Sequence, residues 1–104
     1  MIWTVYAIRD PRTSQVVYVG QTKNFAKRQK AHLRCQRKPR VRIKTTNIKT
    51  WLYDLGQVHL LPVFERLGEY PTEQESLDQE TRWVQHFRSK GHPLLNRWRI
   101  HSGF

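Results

Sequence analysis

Two short segments near the amino terminus constrain the fold more than any other part of the sequence. Residues Ile2–Ile8 and Val16–Gly20 are rich in β-branched and aromatic side chains, and an aspartate–proline turn signal lies between them. Such a pair of segments predicts an antiparallel hairpin. At 104 residues the chain is long enough for one modest core, so residues 1–104 are expected to form a single domain.

Alternation along the two predicted strands sorts their side chains into two faces of the sheet. Tyr6 lies on one face of the first strand, whereas Val16 and Tyr18 share one face of the second. A register centred on the loop places Tyr6 opposite Tyr18. Without further residues nearby, two such tyrosines would be ordinary cross-strand aromatic partners.

Three helices and a third strand are predicted after the hairpin. The first predicted helix runs from Phe25 to about Gln36 and is capped by Asn24, and a short second helix runs from Ile48 to Gly56 and is capped by Asn47. A strand is predicted from His59 to Leu67, and Pro62 suggests that it lies at an edge or contains a bulge. A long helix is predicted to start at the capping box Thr72–Glu75 and to run to about Lys90. Gly91 is expected to end that helix, and the tail Leu94–Asn96 to pack back onto the fold.

The charge of the chain indicates a polyanionic partner. Lys and Arg number 19 against 8 Asp and Glu, a net charge of +11, and no acidic residue occurs between Pro11 and Tyr53. A solvated basic face is the alternative, but nucleic acid is the partner that this one-sign run favours. A membrane is not the expected partner, because the apolar residues of this sequence do not gather into a basic amphipathic helix with a lipid-binding face. The candidate nucleic-acid-binding residues are Lys23, Lys27, Arg37, Lys38, Arg40, Arg42, Lys44 and Lys49.

Cysteine content and hydropathy indicate a soluble protein inside the cell. The single cysteine, Cys35, excludes an intrachain disulfide and fits a reducing compartment. No apolar run approaches the roughly 20 residues of a membrane span, and the amino terminus enters a strand pattern instead of a signal peptide. The expected location is cytoplasmic or otherwise intracellular.

A glutamate in the late helix breaks an otherwise apolar stripe. The stripe is about 120° wide on a helix of 100° per residue and consists of Leu77, Trp83, Val84 and Phe87. Glu80 falls at its centre, where an unpaired carboxylate would destabilise the fold by several kcal/mol. One interpretation is a structural salt bridge to Arg28. The other, which we favour, is a divalent metal ion held by this carboxylate together with waters and substrate oxygens.

Arg28 and His32 are four residues apart and therefore lie on one face of the first helix, beside Phe25. They are either the polar rim of a helix that covers the sheet, or site residues that share a direction with Glu80 and the tyrosines. An arginine aimed at a phosphate offers a bidentate fork that stabilises charge in the transition state.

Taken in order, these residues resemble the GIY-YIG endonuclease family. Thr4-Val5-Tyr6 and Tyr18-Val19-Gly20 are similar to the two signature tripeptides, and Phe25 to Arg28 with His32 is similar to the helix that follows them. Further on, the segment beginning at Glu80 is similar to the glutamate helix, and Gly91 to Asn96 to the closing asparagine segment.

The resemblance implies an α+β fold, a three-stranded antiparallel sheet flanked by helices. It places six residues at catalytic positions, namely Tyr6, Tyr18, Arg28, His32, Glu80 and Asn96. The chain departs from the family at Thr4 and Val5, which replace a glycine and an isoleucine, and a second histidine used by some members has no counterpart.

The expected function is metal-dependent endonucleolytic hydrolysis of DNA. Water attacks the phosphodiester with the help of Mg²⁺, or of Mn²⁺ in its place, bound through Glu80; Arg28 stabilises the phosphate, and either Tyr6 or His32 is the base. Sequence specificity would come from the domain's own loops, a homodimer or a targeting partner protein. Two alternatives remain open, namely a non-catalytic nucleic-acid-binding module with the same fold and a small protein that binds an acidic protein partner.

Overall fold

The computed structural model describes residues 2–37 and 48–96, which form one antiparallel sheet and three helices. The strands are β1 (Trp3–Arg9), β2 (Val16–Thr22) and β3 (Val63–Tyr70), and the helices are α1 (Phe25–Arg34), α2 (Ile48–Gln57) and α3 (Glu73–Ser89). Their order in the sheet is β2-β1-β3, so the first strand is central. The predicted α+β fold with a three-stranded antiparallel sheet is confirmed. None of the helices in this part of the chain has the length and apolarity that a membrane span requires.

Both faces of the sheet are buried, each by different helices. Beneath α3 lies a cluster formed by Val5, Ala7, Val16, Val19, Val84 and Phe87. On the opposite face a second cluster, Tyr6, Ile8 and Val17, packs against partly buried side chains of α1 and α2, which are Phe25, Ile48 and Trp51. The apolar residues of the central strand therefore face a core on both sides, and Tyr6 belongs to the side that α1 covers.

The predicted register of the hairpin is wrong by two residues. Tyr6 pairs with Gly20, and Tyr18 pairs with Ile8. The shift between Ile8 and Arg9 accounts for one of the two residues, and the pairing of Arg9 with Val16, instead of Gln15, accounts for the other. The shift inserts one extra residue, Val17, into β2, and such a bulge reverses the alternation of side chains on the strand before it. Val16 accordingly packs in the cluster beneath α3 instead of sharing a face with Tyr18, which also corrects the alternation expected from the sequence.

The third strand begins four residues later than predicted. His59 has a φ of 60°, a left-handed conformation that a strand does not accommodate, and β3 starts at Val63, directly after Pro62. The prediction of an edge or a bulge is correct, since β3 is an outer strand of the sheet and its pairing with β1 has a register shift between Val5 and Tyr6.

The helix ends follow their capping signals. The Asn24 side chain accepts a hydrogen bond from the Lys27 N–H, and the Thr72 side chain accepts one from the Glu75 N–H, at 3.0 and 3.2 Å. Gly91 follows α3 with a φ of 84°, the conformation for which glycine is preferred after a helix. The predicted cap Asn47 lies outside the described residues. The first helix ends at Arg34, with Cys35 as its C-cap, slightly before the predicted Gln36.

The outer edge of β2 is covered by the tail after α3. The Leu95 N–H donates to the Val17 carbonyl at 2.7 Å, and the Asn96 side chain both accepts from the Val19 N–H and donates to the Val19 carbonyl, at 3.0 and 2.7 Å. At the start of β2, the Val16 N–H donates to His92 Nδ1 at 2.9 Å. The predicted packing of the tail is present, and it satisfies backbone groups that an edge strand would otherwise expose.

Candidate active site

Tyr6 and His32 form a buried hydrogen-bonded pair at the centre of the site. The Tyr6 hydroxyl lies 2.8 Å from His32 Nε2, and the two residues are 0% and 8% exposed. Tyr6 comes from the central strand, and His32 comes from the buried side of α1. The rings of Tyr18 and Phe25 pack around Tyr6, with ring centroids 6.4 and 5.4 Å away. His32 is thus not part of an exposed polar rim of α1.

Gly20 supplies the space in which the Tyr6 hydroxyl lies. A Cβ atom at position 20 would be 2.7 Å from the Tyr6 hydroxyl and 2.9 Å from Cε2 of Tyr18. Both distances are shorter than side-chain carbons tolerate, and Tyr6 is fully buried. The register explains the contact, since Tyr6 and Gly20 are direct partners across the two strands. The glycine of the second tripeptide is therefore required by the position of the first tyrosine.

The environment of the pair keeps Tyr6 protonated and His32 neutral. The pKa of Tyr6 is raised, chiefly by burial and then by the neighbouring Tyr18. The pKa of His32 is lowered to about 4, chiefly by burial and then by the positive charges of Arg28 and Lys49. A neutral imidazole can accept a hydrogen bond at one ring nitrogen, so we assign Tyr6 as the donor and His32 Nε2 as the acceptor.

Glu80 is a buried carboxylate on α3. It is 8% exposed. The residues four positions before and after it, Ser76 and Val84, are also buried, so the three side chains lie on one buried face of α3. Burial raises its pKa from 4.5 to about 7, although the charge of Arg28 acts in the opposite direction. Leu77, by contrast, is 36% exposed, so its predicted place in the buried stripe is wrong, whereas Ser76, on the other side of Glu80 in the stripe, is buried.

The guanidinium of Arg28 connects these groups electrostatically. Its positive charge lowers the pKa of Tyr6, Tyr18, Glu80 and His32 alike. The charge of Glu80 in turn raises the pKa of both tyrosines. The other four side chains therefore all lie within electrostatic range of Arg28, although the five residues come from four separate elements. Arg28 is the exposed member and can meet a ligand from solvent.

Residues 2–92 match the family model described as the GIY-YIG catalytic domain. The chain belongs to the GIY-YIG family. Members of this family are endonucleases, and they are generally metal-dependent. No curated protein and no solved structure is similar enough to this chain to count as a match.

The donor set of this GIY-YIG domain fits a hard divalent cation held by a single carboxylate. Within residues 2–37 and 48–96, no group of three or more histidine, cysteine, aspartate or glutamate side chains is arranged to hold a metal ion. A zinc site needs such a group, whereas Mg²⁺ is commonly bound through one or two carboxylates, waters and substrate oxygens. Glu80 has the required chemistry, because a cation would stabilise the ionised form that burial disfavours.

The remaining predicted site residues of the GIY-YIG domain are distributed around this centre. Both side-chain hydrogen bonds of Asn96 go to the Val19 backbone, so Asn96 holds β2 at the residue between Tyr18 and Gly20. Among the cations predicted to bind nucleic acid, Lys23, Lys27, Arg37 and Lys49 are exposed. The other four, Lys38, Arg40, Arg42 and Lys44, lie outside the described residues.

Sequence reasoning missed two contributions to the site. Gly20 was placed in a motif, but its contact with the Tyr6 hydroxyl depends on a register that a bulge determines. Lys49 is predicted from the sequence only as a nucleic-acid-binding residue, yet its charge also lowers the pKa of His32. No local pattern around residue 49 signals that effect, because it arises between α1 and α2.

Proposed function

We propose that this GIY-YIG domain is a Mg²⁺-dependent endonuclease that hydrolyses phosphodiester bonds in DNA through attack by water. The observation that supports it best is the buried hydrogen bond from Tyr6 to a neutral His32, within electrostatic range of Glu80 and Arg28. A domain that only binds DNA has no need of a buried tyrosine–histidine pair beside a carboxylate whose pKa is raised to about 7.

The tyrosine–histidine pair provides a path for the proton of the attacking water. Tyr6 takes that proton on its hydroxyl oxygen while its own proton passes to His32 Nε2, over the 2.8 Å hydrogen bond. His32 is a weak base in the free protein, where its pKa is lowered to about 4. The negative charge of a bound phosphate raises that pKa, because it favours the imidazolium. Tyr6 is fully buried, so water reaches its hydroxyl only when the surrounding side chains shift on substrate binding.

Arg28 and Tyr18 act on the phosphate. Arg28 is exposed and donates hydrogen bonds to the non-bridging oxygens, whose negative charge increases in the transition state. Tyr18 is partly buried beside Tyr6 and orients the phosphate or the water through its hydroxyl. Burial raises the pKa of Tyr18, so that hydroxyl remains a hydrogen-bond donor at neutral pH.

Glu80 is the residue that would hold the metal ion. A Mg²⁺ ion bound there would supply Lewis-acid stabilisation of the phosphate and of the leaving 3′ oxygen. Binding of the cation also keeps Glu80 ionised at neutral pH, where burial alone leaves a substantial fraction protonated.

Lysines on α1, on α2 and before α1 bind the DNA backbone. Lys23, Lys27 and Lys49 are exposed, and Lys49 is close enough to affect the pKa of His32. Contacts of this kind release counterions, so affinity falls steeply as the salt concentration rises. The positive charges of the basic segment that includes Arg40 and Arg42 add to this salt-dependent part of the affinity.

Cleavage and binding should separate in a glutamate variant. Glu80→Ala is expected to abolish cleavage of labelled DNA in Mg²⁺ while leaving affinity, measured in EDTA by fluorescence anisotropy, within about threefold of wild type. Glu69→Ala is the matched control, because Glu69 is an exposed glutamate of β3, and it should cleave at the wild-type rate. Equal loss of cleavage and binding would show that Glu80 supports the fold instead of the chemistry.

A panel of duplex, single-stranded, nicked and branched DNA, run with and without Mg²⁺, tests the enzyme assignment itself. Cleavage of at least one substrate that requires Mg²⁺ is expected. Tight, salt-dependent binding with every substrate left intact would favour the non-catalytic binding module.

A further inference from the structure

A groove of about 490 Å³ lies beside the proposed active site. The start of β1 and the end of β2 form one wall, α1 forms another, and the first residue of α3 contributes to the lining. This volume is within the range of about 300 to 1,000 Å³ that ligand clefts occupy. Arg28 lines the groove, so whatever binds there is adjacent to the groups of the active site.

An aromatic ring and several cations line this groove. Trp3 is half-buried at its wall, and the Lys23 ammonium lies 5.5 Å from the centroid of the indole ring. Lys27 and Arg34, both exposed on α1, also face the groove. An aromatic platform surrounded by cations is the combination with which proteins bind unpaired nucleotides, because bases stack on the ring and phosphates meet the charges.

Core packing does not account for Trp3. In the described part of the chain, Trp3 is in neither of the two clusters that form the core, whereas Trp51 and Trp83 pack against them. Its ring carries a cation–π contact with Lys23 at a partly exposed site, where such a contact is weak. A stacked base can therefore replace the ammonium, and Lys23 can move to the phosphate of the same nucleotide.

We propose that this groove binds one unpaired nucleotide of the DNA substrate next to the scissile phosphate, with its base stacked on Trp3. The base must be unpaired, because a base inside a duplex is covered on both faces by its neighbours. Lys23 and Lys27 neutralise the phosphate of that nucleotide. Glu73 also lines the groove. Its carboxylate accepts hydrogen bonds, so it favours contact with an exocyclic amino group of a base over contact with a second phosphate. The inference rests on the proposed function, and it adds the class of DNA that the enzyme prefers.

Binding to three matched duplexes in EDTA tests this inference without any cleavage. The first duplex is fully paired, the second carries one extra unpaired nucleotide, and the third carries an abasic residue in that extra position. Wild-type protein is expected to bind the second about five- to hundredfold more tightly than the first, the range that base–aromatic stacking supplies. The abasic duplex should lose most of the gain, which separates stacking of the base from flexibility of the DNA.

Variants of Trp3 assign the preference to the groove. Trp3→Leu should remove it and Trp3→Phe should retain part of it, whereas the control Trp83→Phe, which changes a tryptophan of α3 that packs against the core and does not line the groove, should bind like wild type. Circular dichroism confirms that each variant folds; if Trp3→Leu does not, the abasic comparison and Trp3→Phe decide the outcome.

Equal binding of wild type to all three duplexes, or an unchanged preference in Trp3→Leu, would overturn the inference. The proposed function is judged separately by adding Mg²⁺ to the same duplexes. Cleavage without the binding preference refutes only the groove, and the binding preference without any cleavage refutes only the endonuclease.

Discussion

Replacing Glu80 by glutamine is expected to stabilise the protein at high pH when divalent ions are absent. The change keeps the shape of the side chain and removes its charge. Burial raises the pKa of Glu80 from 4.5 to about 7, against the opposing effect of Arg28. The folded state therefore disfavours the ionised carboxylate relative to the unfolded chain. At about 1.4 kcal/mol per pKa unit, this corresponds to about 3 kcal/mol of the free energy of unfolding.

The direction of the pH dependence follows from which pKa is higher. The pKa of Glu80 is higher in the folded state than in the unfolded chain. The contribution of protonated Glu80 to the stability of the wild type is therefore fully present below pH 4.5 and is lost as the pH rises through about 7. The glutamine variant has no group that titrates there. The two proteins should match near pH 4, and the variant should exceed the wild type by about 3 kcal/mol at about pH 8.

Urea unfolding in EDTA, followed by tryptophan fluorescence over this pH range, measures the difference. Glu69→Gln is the control, since an exposed glutamate should change the free energy of unfolding by no more than about 0.5 kcal/mol. Adding Mg²⁺ at about pH 8 should stabilise the wild type more than the glutamine variant, because a ligand that binds only the folded state stabilises it. A glutamine variant less stable than the wild type at about pH 8 would refute the reasoning and would indicate a structural ion pair.

Three further predictions concern the tyrosine–histidine pair. Gly20→Ala should lower the free energy of unfolding by about 1–3 kcal/mol in urea unfolding and slow cleavage, because the new Cβ would meet the Tyr6 hydroxyl at 2.7 Å; a variant as stable and active as wild type would contradict this contact. Tyr6→Phe should reduce the cleavage rate by about a hundredfold or more and stability by only about 1 kcal/mol, since it removes the hydrogen bond to His32 but keeps the ring; unchanged cleavage would remove Tyr6 from the proton path. Lys49→Met should raise the pKa of His32 in an NMR titration, because one of the positive charges that lower it is removed; a pKa that falls or stays unchanged would contradict that effect.

Sequence reasoning predicted the features of the fold that depend on local chemistry. The caps Asn24 and Thr72 and the glycine at Gly91 each act through neighbours within a few residues, so their patterns suffice. The bulge at Val17 was not predictable in this way, because one extra residue in a strand leaves its composition almost unchanged. That single residue shifts the register of the hairpin by one residue and moves Val16 to the other face.

The candidate site shows the same division. Glu80 stands out in sequence because it interrupts an apolar stripe, and its burial agrees with that signal. The burial of His32 has no such signal, since its neighbours Tyr6, Tyr18 and Phe64 come from three different strands. Contacts between distant segments are set by packing, and a pattern on one helix does not contain them.

The central claim, that Glu80 holds a divalent cation beside the scissile phosphate, can be tested most directly by anomalous diffraction. Crystals of the protein with a DNA oligonucleotide, soaked in Mn²⁺, should show an anomalous peak at about 2.0–2.2 Å from a Glu80 carboxylate oxygen and in contact with a phosphate oxygen. No peak at that position, with DNA bound and the carboxylate paired to the Arg28 guanidinium, would contradict the account.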